Sequence, residues 1–160
     1  MTSLLAGVVS REPLAAADGR SGSLLERVVL ADGRTLVVKH VLDGGDWIMR
    51  ASHDHGRAAA LWSQGVLARV PEVIDHAVVG AERVDGGWVV IMRDVSAALV
   101  PEHVHLTRED SRRVLVAAAA LHTAFADDPP LALCSMADRY QLLSPATTRR
   151  GPAAPTRCQG

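Results

Sequence analysis

The stretch GRTLVVKHV, residues 33 to 41, contains Lys39, the only lysine among 17 basic residues; every other one is arginine. An ammonium on a flexible stem is a compact point charge, and the wide, planar guanidinium does not replace it where a single charge must be aimed. A coding bias toward arginine also leaves a stray surface lysine, so the neighbours must decide between the two readings. In an extended segment Thr35, Val37, Lys39 and Val41 share one face, and Leu36, Val38 and His40 share the other. Lys39 therefore emerges between two valines on a largely apolar face, where a solvated lysine would normally have polar neighbours. Upstream, AADGRSGSL (residues 16 to 24) offers a second candidate. There Gly19 and Gly22 permit close backbone approach, and Ser21 and Ser23 add hydroxyls, a composition that suits either an anion cradle or an ordinary strand connection.

Other residue types give weaker constellations. Seven histidines include His53 and His55 in HDH and His103 and His105 in HVH. On a helix the first pair points about 200° apart, and on a strand the second pair shares a face but lacks a close third ligand, so no metal centre is expected. His122 reads as a hydrogen-bonded core residue of an apolar helix. Cys134 and Cys158 are too far apart for a C-x-x-C motif, and no serine sits in a G-x-S-x-G elbow. Hydrolase chemistry has no anchor here.

These residues are positioned by elements that can be read from periodicity. Residues 23 to 42 predict a hairpin turning at Asp32 and Gly33, and a helix follows at roughly 51 to 65, closed by Gly65. The stretch VPEVIDHAVVGAERVDGGWVVIMRDVS predicts strand, Asp-Gly turn, strand, with WVVIM apolar enough to be covered on both faces. Residues 107 to 125 predict a long helix, with Thr107 and Asp110 at capping spacing and Glu109 favouring the positive end of its dipole. From Val114 to Phe125 only His122 and Thr123 are polar, so this half is apolar nearly all round and belongs within something larger, while little of the chain remains to bury it. The end, PATTRRGPAAPTRCQG, has no periodicity and reads as a disordered tail. A truncated or frame-shifted reading of a longer chain would have this form.

Composition bounds the rest. The chain has 160 residues, 48% hydrophobic, with formal net charge -1, which suits one α+β domain of modest core and gives no basic field for nucleic acid or an anionic membrane. No run reaches the roughly 20 apolar residues of a membrane span, and the apolar run in MTSLLAGVV has no basic n-region. A cytoplasmic protein with free thiols is expected.

Taken together, GRTLVVKHV, GRAAALW, RVPEVIDHAVV, VVIMRDVSA and AAALHTAF resemble the aminoglycoside phosphotransferase family, a group of small-molecule kinases with the kinase-like fold, over about residues 14 to 145. The resemblance implies a kinase-like small lobe, a twisted antiparallel sheet of about five strands with one helix, followed by a long apolar helix of an incomplete second lobe. It divides the chain into an N-terminal segment 1–13, a nucleotide-binding lobe 14–96, the start of a helical lobe 97–145 and the tail 146–160. It gives Lys39 the α- and β-phosphates of ATP, makes Gly19, Ser21, Gly22 and Ser23 the loop over them, and makes Met92, Arg93, Asp94 and Val95 the segment that meets adenine. ATP with Mg²⁺ and a hydroxyl acceptor are the implied ligands.

Two departures limit that reading. The acidic helix residue that pairs with the strand lysine in such kinases falls on Ala58, with Asp54 four residues earlier as a substitute on the same helical face. The family's His-x-Asp run with a following Asn, and its later metal-binding Asp, are not found, so the chain alone is not expected to catalyse phosphoryl transfer. The alternative is a non-catalytic lobe that self-associates or docks through helix 107–125.

Overall fold

A computed structural model describes residues 3–14, 23–43, 57–101, 103–130 and 140. Its five strands are β1 (Val8–Leu14), β2 (Leu24–Leu30), β3 (Thr35–Leu42), β4 (Val78–Val84) and β5 (Gly87–Arg93). They form one sheet in the order β1-β2-β3-β5-β4, with every neighbouring pair antiparallel. Helix α1 (Arg57–Ser63) lies between β3 and β4 in sequence, and α2 (Arg108–Ala124) follows the sheet. The described residues are thus mixed α+β, with a five-stranded antiparallel sheet and helices α1 and α2, as expected at that level.

Both hairpins form where the turn residues put them. The Leu30 and Gly33 N–H groups close the first turn onto Arg34 and Leu30 carbonyls at 2.9 Å, and the Asp32 carboxylate accepts the Arg34 N–H at 3.0 Å. In the second turn Gly86 takes φ +77°, a left-handed conformation that side chains resist. Gly87, the next residue, faces the backbone of β3 so closely that an added Cβ would lie 2.1 Å from the Val41 carbonyl oxygen. That contact seats the start of β5 against the end of β3.

Alternation then sorts the apolar residues to two sides. On one side Val28, Leu30, Leu36, Val38 and Ile91 pack with Leu5, which a 3-10 turn at Ser3–Leu5 brings in. On the other side Val41 and Val90 pack beneath Ala59 of α1, flanked by Val78, Ala81, Trp88 and Met92. The run WVVIM supplies both sides, since Val90 and Ile91 are adjacent in sequence and each is essentially fully buried. The N-terminal segment is part of this sheet: β1 crosses the expected division after residue 13.

Of the helix expected at 51 to 65, residues 57–63 form α1, and Gly65 follows in the left-handed conformation. Residues 51–56 lie outside the described part, as does the tail 146–160. At the start of α2 the capping box is formed: the Thr107 hydroxyl accepts the Asp110 N–H at 3.1 Å, and the Asp110 carboxylate accepts the Thr107 N–H at 3.2 Å. The half from Val114 to Phe125 is the apolar part expected, with little of this chain to bury it, and the helix is exposed along its length. Arg108, Glu109, Asp110, Arg112 and Arg113 make the first part charged, no α2 residue is buried, and Leu115 is 70% exposed. His122, expected in a core, is exposed on the last turn. There Arg69 stacks over the Phe125 ring at 5.0 Å and pairs with Asp128 at 2.8 Å.

Candidate functional site

Strand register builds the site. Lys39 stands opposite Leu25 on β2 and Val90 on β5, and directly opposed residues of antiparallel strands project to the same face. The adjacent row on that face is Arg27, Val37 and Met92. Helix α1 covers the β5 side of this face, where Ala59 meets Val41 and Val90. Leu25 and Val37, on the β2 and β3 side, stay half-buried. Lys39 is itself half-buried at the boundary between the covered and open halves. Among the described residues, no carboxylate pairs with its ammonium.

A partner for it would come from the helix, and the helix offers none in its described part. Ala58 is exposed, Ala59 is the residue against the sheet, and neither carries a carboxylate. Asp54 lies outside the described residues. So do Gly19, Ser21 and Gly22; of the expected loop only Ser23 is described, half-buried at the foot of β2.

Met92 to Val95 lie at the far end of the same face. The Met92 side chain packs against the Val41 and Val90 cluster. Arg93 projects to the opposite face, where it pairs with Asp75 and donates to the His76 carbonyl at 2.9 Å. Its N–H donates to the Ala77 carbonyl at 2.8 Å, and the Val95 carbonyl accepts the Ala98 N–H at 2.8 Å. Among the described residues this leaves the main chain of Asp94 and the N–H of Val95 for a ligand at the strand end.

The structure adds a residue that the sequence reading passed over. Arg27 reaches diagonally across β3 on the Lys39 face, and its Nε donates to the Asp94 carboxylate at 3.0 Å and its Nη2 to the Ser96 hydroxyl at 3.2 Å. Glu12 on β1 approaches the same guanidinium at 4.0 Å. Asp94 in turn accepts the Ser96 hydroxyl and the Ser96 N–H, the latter at 2.9 Å. These Ser96 hydrogen bonds, with Arg27 adding to them, hold the Asp94 carboxyl below its usual range. The signal was present in SLLERVVL, where Arg27 shares the alternation of Leu25 and Val29, the pattern that singled out Lys39.

The chain has no match among protein-family models, curated proteins or solved structures.

Three other places carry polar groups or space. On the opposite sheet face the Glu26 carboxylate accepts from Arg11 at 2.9 Å and meets His40 Nε2 at 2.7 Å, beside a cavity of about 280 Å³. The Arg11 hydrogen bond, with His40 contributing, draws the Glu26 carboxyl below its usual range. An apolar cavity of about 460 Å³ lies between α1, the turn at Val66–Arg69 and the end of α2, lined by Leu61, Val66, Leu121 and Phe125 among others. None of the expected nucleotide residues lines it. His103 and His105 are exposed in the irregular stretch before α2, and among the described residues no three His, Cys, Asp or Glu side chains converge for a metal ion. No helix among the described residues is long and apolar enough to cross a membrane.

Proposed function

We propose that this chain is the ATP-binding lobe of a small-molecule phosphotransferase of the aminoglycoside phosphotransferase-like kind, and that it does not catalyse transfer by itself. One observation carries the reading: Lys39 lies on the third strand of a five-stranded antiparallel sheet, on the face that the following helix half covers, with apolar Leu25, Val37 and Val90 around it. An ammonium with no carboxylate partner among the described residues, rising from an apolar floor, suits the α- and β-phosphates of a nucleotide. Some 13 Å along the strand, at roughly 3.3 Å per residue from Val90 to Asp94, the main chain of Asp94 and the N–H of Val95 would meet the base in this reading. Asp94 is engaged by Arg27 and Ser96, so among the described residues this strand end offers Mg²⁺ no free carboxylate pair.

MgATP titration followed by thermal unfolding tests the proposal. ATP should raise the melting temperature of the wild type, since a ligand that binds only the folded state stabilises it by mass action. Lys39→Ala should weaken ATP about 10- to 100-fold, as expected for a charge-assisted contact. Lys39→Arg, which keeps the charge but not its shape, should recover only part of the affinity. Equal stabilisation of wild type and Lys39→Ala would sink the assignment.

The alternative reading is an orphan lobe that self-associates through α2. Val114, Leu115 and Val116 are 58%, 70% and 47% exposed on successive positions of that helix, which favours this as a second property of the same chain.

A further inference from the structure

Arg27 is not needed to explain ATP binding, and its position works against it. The guanidinium spans from β2 over β3 to Asp94, so it crosses the row that contains Val37. Any ligand extending from Lys39 to the main chain of Asp94 and Val95 must cross that same row, because Val37 separates Lys39 from the strand end on this face. The guanidinium is tied there by the Asp94 carboxylate, the Ser96 hydroxyl and, more distantly, Glu12. At one-third exposure for Arg27 and 19% for Asp94, the pair is shielded enough to persist yet open enough to water to break without burying a stranded charge.

We propose that the Arg27–Asp94 ion pair is a latch that closes the base end of the groove and sets how tightly a nucleoside triphosphate binds. This rests on the nucleotide reading of Lys39. Entry of the base displaces the guanidinium from Asp94 into solvent, toward Glu12 on β1, and exposes the main chain at Asp94 and Val95. The latch thus lowers affinity without touching the phosphate contact, and salt, which screens the pair, weakens the latch.

The test measures MgATP and AMP affinity of the full-length chain by calorimetry, for wild type, Arg27→Ala and Asp94→Asn. The asparagine keeps an acceptor for the Ser96 N–H while removing the charge that holds Arg27. Both variants should bind ATP about three- to fivefold more tightly than wild type at low salt, the scale of a partly exposed ion pair. That gap should shrink as salt is raised. AMP, which keeps the base but reaches Lys39 poorly, should gain by a similar factor. Wild-type binding with unchanged or weaker binding in Arg27→Ala would overturn the latch and leave the Lys39 reading standing. No binding by wild type or by either variant would overturn both. If Arg27→Ala fails to fold, Asp94→Asn decides alone, because it retains the guanidinium and the Ser96 contact.

Discussion

At the residue scale, two carboxylates tie strands or strand ends together, Glu26 to Arg11 and His40, and Asp94 to Ser96 and Arg27. Both titrate below their ordinary range in the folded chain. A carboxyl whose folded value is depressed contributes stability that is present above its unfolded value and is lost as pH falls through the folded one. Urea midpoints should therefore hold from neutral pH to about pH 5 and fall below about pH 4. Asp94→Asn should flatten part of that acid limb and leave the rest, to which Glu26 contributes beside the lowered carboxyls of Asp32, Glu109 and Asp110; an identical limb in the variant would exclude Asp94 as a contributor. The sequence revealed Lys39 because a charge stood among valines at alternate positions. The same signal marked Arg27, but its meaning depended on a partner 67 positions away, and only the β2-β3-β5 register brings the two together.

At the element scale, the two hairpins were legible because Asp-Gly turns and strict alternation are local signals. Strand β1 was less so: VVSREPL alternates poorly, and as an edge strand it is mostly exposed. The sharpest structural demand in the sheet is Gly87, whose missing Cβ leaves room for the Val41 carbonyl. An alanine there meets backbone, which no rotamer change relieves, so Gly87→Ala should cost about 3 kcal/mol in urea-unfolding free energy. A cost under about 1 kcal/mol would mean that β5 can shift against β3 and that the contact is slack. Helix α2 was correctly bounded by its capping box, and only the core position read for His122 failed, since that side chain is exposed. Propensity and capping set where a helix starts; they do not say what packs on it.

At the scale of the whole molecule, the sheet and α1 carry the two buried clusters, while α2 exposes Val114, Leu115 and Val116 and the stretch before it exposes Leu99, Val100, Val104 and Leu106. Such a concentration of exposed aliphatic side chains favours association of copies. Sedimentation velocity should show concentration-dependent dimers, and Leu115→Glu should return the chain to monomer without moving the unfolding midpoint of the sheet; monomeric wild type at every concentration would remove the self-association reading. The strand order has a kinetic consequence of its own. Each hairpin closes over a few residues and can form quickly, whereas the β3-β5 seam joins segments separated by the whole stretch from Leu42 to Gly87. That seam contains Val38 opposite Ile91, both fully buried, and Lys39 opposite Val90. The face that carries Lys39 is therefore assembled in the slowest step of folding, when two preformed ribbons zip together.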